Sequence, residues 1–374
     1  MKDDITDHSI IIENKNNNPI LVHNSGNHSK LDLTDYKNDN TDDKDIENND
    51  NEQNLNNTQS LDKRNKEDLV EFGENDPDNP FNWSLWKKSM IFVVVAMNMF
   101  WTLGLSTIYV PAASVIGEEF GFHGIVTKLP IFSYIMGFSF GPVMFISLSE
   151  DYGRKPVGMI TLFVLYIFQI PQIFAKNIET IVICRFIAGL VASPMINYVC
   201  CIPDMFAEGD TVGLWAINIW ALSAESVILG SVIGSYIIDR LHWKWIFYIS
   251  LIVGVPLWIL FCLLPETRPA PILKKRVRHI RKTTNPHAWT IYEVQKRPLR
   301  ETLNAVVLRP CRMLLTEPII TFTSIYDGVN YAIIYMIIES GPLVFKQFGI
   351  DSPNSSLVNL SMEVGFILAI CAFW

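Results

Sequence analysis

The sequence predicts an all-α polytopic membrane protein, and three observations predict it. Hydrophobic residues make up 49% of the 374 and charged residues only 18%. Mean hydropathy is positive, at +0.22, even though the chain carries a net charge of -8. Beyond Lys88 the apolar residues gather into runs that match the roughly 20 residues a helix needs to cross a bilayer. Such runs must be helical, because lipid offers the backbone no hydrogen-bond partners.

The net charge is unevenly placed. Met1 to Pro80 carries 20 acidic and 8 basic residues, a net -12, which leaves +4 for the remainder. An acidic polar tail followed by a very apolar body excludes a single soluble globule and a nucleic-acid binder. The tail is asparagine-rich, as in Asn14-Lys15-Asn16-Asn17-Asn18, and its aromatics are Tyr36 and Phe72. It lacks the apolar surface to offset the entropy of ordering, so 1–80 is read as a disordered cytoplasmic tail. A regulatory or trafficking role competes there with compositional filler, and filler is the simpler reading.

Eight spans follow, at about 89–110, 129–149, 156–174, 179–199, 212–238, 244–264, 316–338 and 356–374. They divide the body into a six-span half over 81–264, a basic central loop over 265–315, and two further spans over 316–374. Lysine and arginine fix the expected orientation. Lys87 and Lys88 precede span 1, Arg154 and Lys155 follow span 2, and the run from Lys274 to Lys282 lies between spans 6 and 7. All three fall on one side, which places the N-terminus in the cytoplasm. The loop from Pro203 to Thr211, with acids and no Lys or Arg, runs against the rule. Span 8 ends at Trp374 without a polar flank, and a carboxyl terminus inside hydrocarbon is costly. The chain is therefore expected to be cut short, its missing spans lying beyond Trp374 or in a partner chain.

The six cysteines show no CxxC pair and no metal-like spacing with the seven histidines, so neither a disulfide framework, a metal nor a cofactor is expected. Gly137-Phe138-Ser139-Phe140-Gly141 fits the spacing of a hydrolase nucleophile elbow. It lies inside an apolar span with no preceding strand, and reads instead as a helix-packing face. No motif suggests bond-breaking chemistry, and no enzyme is expected.

The most informative loop is Leu148-Ser149-Glu150-Asp151-Tyr152-Gly153-Arg154-Lys155-Pro156. Gly153 permits a tight reversal between adjacent helices. Glu150 is placed to pair with Arg154 and Lys155 or to face the N-terminal dipole of span 3. By spacing alone this is a plain charged hairpin loop.

The loop also resembles the motif A loop of the major facilitator superfamily, in the form found in fungal drug:proton antiporters of the twelve-span type. Further resemblances run in order along the chain. They are Asn79-Pro80-Phe81-Asn82-Trp83-Ser84 ahead of span 1, Arg185-Phe186-Ile187-Ala188-Gly189 in span 4 followed by Ser193-Pro194, Leu264-Pro265-Glu266-Thr267 after span 6, and Arg309-Pro310 with Thr316-Glu317-Pro318 before span 7. Two places depart from the family pattern. In the span 5 antiporter motif Gly230 and Gly234 remain, but Ser231 stands at the proline position and Ser226 and Ser235 at flanking glycines. Ile146 replaces the first glycine of motif A. The resemblance implies a complete six-helix N-terminal half plus the first two helices of a second half. It also implies proton-coupled efflux of small organic molecules, such as drugs or polyamines, across the plasma membrane by alternating access. The altered span 5 motif keeps a facilitator or nutrient importer open. The abrupt end keeps open a non-transporting remnant or membrane sensor.

Charges inside spans are the sharpest lead, since each is costly in lipid and faces a cavity or a partner. Arg185 matches the family arginine implicated in proton coupling. Glu225, midway along span 5, and Asp327, one turn before Tyr331, are the carboxylates expected to exchange protons or pair with substrate. Arg185 is expected to hold such a carboxylate ionised. Glu339 and Glu363 have an interfacial role as their equal alternative. Glu150, Gly153, Arg154 and Lys155 form the expected gating loop, Gly230 and Gly234 a close packing face, and Trp101, Asn218 and Tyr331 a cavity lining suited to flat or cationic molecules. The expected partners are protons, a small organic substrate and the lipid bilayer.

Overall fold

The computed structural model describes residues 10–13, 19–22 and 68–373, apart from 74, 207–209, 295–307 and 351–352. Two units are separated at Gln59 and Ser60. In the first, Ile10–Glu13 pairs antiparallel with Pro19–Val22, with Ile10 opposite Val22 and Glu13 opposite Pro19. This hairpin lies within the stretch that the sequence reading takes as a disordered tail. Ile10-Ile11-Ile12 and Ile20-Leu21-Val22 are short runs of strand-favouring side chains within the polar sequence. Most of the tail lies outside the described residues.

Among the described residues the regular structure of the second unit is helical but for a single bridge between Leu69 and Trp289. Among the described residues seven segments are long and apolar enough to cross a membrane: Leu85–Phe120, Arg154–Ile173, Ile178–Met205, Thr211–Arg240, Trp245–Leu263, Pro318–Lys346 and Asn354–Ala372. Leu129–Tyr152, a 24-residue helix with its only charges in the last turn, supplies span 2. Eight helices thus stand where eight apolar runs were read.

Interruptions within spans were not expected, and one has a local cause. Span 4 tightens into a 3-10 stretch over Ser193–Cys200, beginning where Pro194 removes a backbone donor. Span 5 breaks at Glu225, between Thr211–Ala224 and Ser226–Arg240. Both spans resume as helix, over Cys201–Met205 and Ser226–Arg240.

Close backbone contact holds the six-helix half together, as expected where lipid supplies no hydrophobic force between helices. A side chain at Gly137 would run into the Phe186 carbonyl, and one at Gly189 into the Tyr134 carbonyl, so spans 2 and 4 meet backbone to backbone. The Gly137–Gly141 segment is this packing face. A side chain at Gly230 would overlap the Gly104 carbonyl, and one at Gly234 the Ile108 carbonyl, which brings span 5 equally close to span 1. Thr107 Oγ1 donates to the Val227 carbonyl across that seam. Outward faces carry exposed apolar side chains such as Phe132, Ile160, Ile183 and Ile252.

The central loop contains a helix, Pro269–Thr283, whose apolar face of Ala270, Leu273 and Val277 is buried. Residues just before span 1 clasp it. Asp76 and Asp78 both hold the Arg276 guanidinium, with Arg276 Nη2 at 2.8 Å from Asp76 Oδ1 and 2.7 Å from Asp78 Oδ2. Asn285 Nδ2 donates to Asp68 Oδ1 at 2.6 Å, and Val70 N to the Trp289 carbonyl at 2.8 Å. Asp68, Val70, Asp76 and Asp78, which the sequence reading assigns to the tail, thus pack on the central loop. Arg276 holds the Asp76 carboxyl down to about 2, below its ordinary value of 3.8. A depressed carboxyl stabilises the folded state above its ordinary value and loses that contribution as pH falls through the folded one. The clasp is thus intact throughout the neutral range.

Candidate functional site

Arg185 sits inside the six-helix half at 2% exposure. Its Nη1 donates to the Leu105 carbonyl at 2.7 Å, and its guanidinium carbon lies 4.9 Å from the Tyr109 ring centre and 5.6 Å from those of Tyr134 and Phe247. Among the described residues no carboxylate forms an ion pair with it. The expectation that Arg185 holds a carboxylate ionised is corrected. A backbone carbonyl and three ring faces take that place, each attractive to a cation.

Glu225 stands apart, half-buried at the break in span 5. Its backbone closes the turn, with Ile228 N donating to the Glu225 carbonyl at 2.9 Å. Tyr331 lies within electrostatic reach of both Glu225 and Asp327, and Glu363 within reach of Glu225. Three carboxylates and a phenol from spans 5, 7 and 8 therefore share one region. Asp327 and Tyr331 are exposed there. Asn218, half-buried in span 5, turns its amide back to the Leu214 carbonyl at 2.8 Å. Trp101 is not part of this lining. It is buried between spans 1 and 6, with Nε1 3.4 Å from the Ser250 carbonyl, because its indole finds a partner inside the half.

At the end bearing the Gly153 loop a second cluster forms. Gly153 adopts φ 103°, a conformation that glycine alone takes readily, and a side chain there would press against Glu266. Glu266 caps span 3, accepting from Arg154 N at 3.1 Å and Lys155 N at 3.0 Å, and it also accepts from Thr267 N and Arg268 N. A carboxylate at a helix N-terminus satisfies orphan donors and complements the dipole. Arg154 Nε donates to Asp204 Oδ2 at 2.7 Å, Arg154 Nη1 reaches the Asn197 carbonyl at 3.4 Å, and Tyr198 donates its hydroxyl to the Arg154 carbonyl.

Glu150, expected to pair with Arg154 and Lys155 or to face the span 3 dipole, lies 3.7 Å from Arg268 instead. Glu266 occupies the dipole position and Asp204 takes the arginine. Neither was read as functional from sequence. The signal for Asp204 was present in the loop after span 4, which carries acids on a side otherwise rich in bases. Arg154→Ala removes one partner of a largely buried pair and leaves Asp204 uncompensated, a loss of about 3–5 kcal/mol. Thermal unfolding of the purified variant checks this, and an unchanged midpoint would leave the pair without structural weight.

Spans 7 and 8 touch the first half near the opposite end. Lys128 pairs with Glu339, the Ser106 and Tyr335 hydroxyls lie 3.2 Å apart, and Asn359 Nδ2 donates to Ser231 Oγ at 3.3 Å. Ser231, at the family's proline position, is thus one of these contacts. Span 7 is nonetheless exposed along its length, at Phe322, Ile325 and Tyr326 toward the Gly153 end and at Met336, Leu343 and Val344 toward the other.

Known proteins give this arrangement its context. A profile of the Major Facilitator Superfamily matches residues 90–374. The transporter paaT of Penicillium rubens is 32% identical over 314 residues, covering 81% of this chain and 56% of that protein. The multidrug transporter TPO1_1 of Candida glabrata is 30% identical over 324 residues, covering 84% and 56%. The cycloheximide resistance protein of Candida maltosa is 28% identical over 288 residues, covering 73% and 51%. The chain thus spans just over half the length of these relatives. A solved structure of the proton:xylose symporter XylE, bound to 6-bromo-6-deoxy-D-glucose, superposes with a TM-score of 0.52 at 15% identity over 77% of this chain and 70% of that one, a likeness of fold. With a family profile running from span 1 through span 8 and relatives at 30% identity or more over four-fifths of its length, the chain belongs to the Major Facilitator Superfamily.

Proposed function

We propose that the chain forms the first half, and the opening of the second, of a secondary transporter that exports small organic molecules such as drugs or polyamines. Export is driven by inward proton flow through alternating access at the plasma membrane, with the N-terminus in the cytoplasm. The observation that carries this reading is that Tyr331 on span 7 lies within electrostatic reach of Glu225 and Asp327, and Glu363 on span 8 within reach of Glu225, all inside apolar segments of spans 5, 7 and 8. Transporters of this architecture bind substrate near the midplane at the interface of their repeats. A carboxylate in that position takes up either a proton or a cationic group, and aromatic faces favour cations. The names of the relatives, a multidrug transporter and a cycloheximide resistance protein, support an organic substrate moved out of the cell.

Each part then has a role. Glu225 and Asp327 exchange protons or pair with substrate, and Tyr331 and Asn218 line the path. Arg185 keeps a fixed positive charge inside the first half. Gly230 and Gly234 hold spans 1 and 5 in register while the halves rock. The Glu150, Gly153, Arg154 and Lys155 loop, with Asp204 and Glu266, serves as a latch at the Gly153 end while the halves rock.

Ser231 in place of the family's proline favours a second reading, a facilitator of the same superfamily. Efflux of a cationic drug from energised cells separates the two. Collapse of the proton gradient with an uncoupler abolishes concentrative efflux in the first reading and leaves equilibrative flux unchanged in the second.

A further inference from the structure

The Pro269–Thr283 helix contains no acidic residue, yet its basic side chains are not equivalent. Arg276 is neutralised by Asp76 and Asp78, and Arg281 by Glu293, whose Oε1 lies 3.1 Å from Nη1. Lys275, Arg278, His279 and Lys282 remain exposed. They follow one another at i, i+3, i+4 and i+7, which on a helix is a single stripe about 10 Å long. The opposite face, Ala270, Leu273 and Val277, is buried, so the stripe has a fixed outward direction. The other exposed residues of the helix and its end are Thr283 and Thr284, followed by Pro286 and His287.

We infer that this stripe is a binding surface for the anionic phospholipid headgroups of the adjacent leaflet. The helix begins six residues after Leu263, where span 6 leaves the apolar layer, so it lies at the level of the membrane surface. It stands on the side that the Lys/Arg bias assigns to the cytoplasm, whose leaflet holds the anionic lipid. The exposed face offers charge and no apolar side chain to insert, which suits contact with headgroups rather than burial among acyl chains. The positive-inside rule requires only basic residues in the loop. It does not require that two arginines be neutralised and that Lys275, Arg278, His279 and Lys282 share one exposed face.

The test is the binding of phosphatidylserine and of phosphatidylcholine to the full chain purified in neutral detergent. Wild type is compared with the triple variant Lys275→Gln/Arg278→Gln/Lys282→Gln and with Arg240→Gln/Lys244→Gln at the opposite end. The expected result is preferential phosphatidylserine binding that the triple variant weakens at least about tenfold and the distal variant leaves unchanged. Higher ionic strength weakens wild-type binding in the same way. Because all three substituted side chains are exposed, the triple variant keeps its unfolding midpoint. Equal phosphatidylserine binding by wild type and triple variant would overturn the inference. So would binding of a polyglutamate peptide to the stripe in preference to the lipid, which would point to an acidic protein partner.

Discussion

Gly230→Ala is expected to destabilise the folded chain by about 1–3 kcal/mol, the ordinary range for overfilling a packed seam. One methyl group suffices, because the atoms it meets are the Gly104 carbonyl and the Thr107 hydroxyl, and the carbonyl is backbone. Span 1 has to move away from span 5, and the bond from Thr107 to the Val227 carbonyl stretches with it. Between membrane helices close contact supplies the attraction, so a lost contact has no hydrophobic compensation. Gly328→Ala in span 7 is the matched control, since a side chain there meets nothing within 4 Å. Thermal unfolding in detergent should show a lowered midpoint for the first variant and an unchanged or slightly raised one for the second. Equal midpoints would mean that the seam is looser than described.

Glu225→Gln is expected to abolish proton-driven transport while leaving the amount of protein in the membrane unchanged. The amide keeps the shape and the hydrogen-bonding capacity of the side chain but cannot take up a proton or balance a cation. Glu225 is half-buried and forms no ion pair among the described residues, so its removal leaves no stranded partner. Loss of transport without loss of protein therefore isolates coupling from folding. Asp327→Asn, in the same region but more exposed, should give a smaller loss. Full activity in the Glu225 variant would transfer the coupling role to Asp327 or Glu363.

Much of this architecture was legible in the sequence because bilayer length is a strong physical constraint. Each of the eight apolar runs is helical over most of its length, and the glycines at Gly137, Gly230 and Gly234 stand at close contacts as small residues between membrane helices should. What was not legible depended on side chains choosing among nearby partners. Glu150 and Glu266 both lie near the start of span 3, and the chain direction after Leu264 decides that Glu266 caps it. Arg185 was expected to need an anion, but rings from spans 1, 2 and 6 converge on it, and nothing in the local sequence records that convergence. Trp101 has the composition of a cavity residue and the position of a packing one. The Asp76–Arg276 clasp joins groups 200 residues apart, beyond the reach of any periodicity.

The central claim is that carboxylates between spans 5, 7 and 8 couple substrate movement to protons. Its most direct test is the flux of a labelled cationic drug from energised cells that express wild type or Glu225→Gln at equal surface abundance, with an imposed pH gradient as the variable. The account predicts efflux that rises with the gradient in wild type and no response to it in the variant. Gradient-dependent efflux of equal size in both would contradict it.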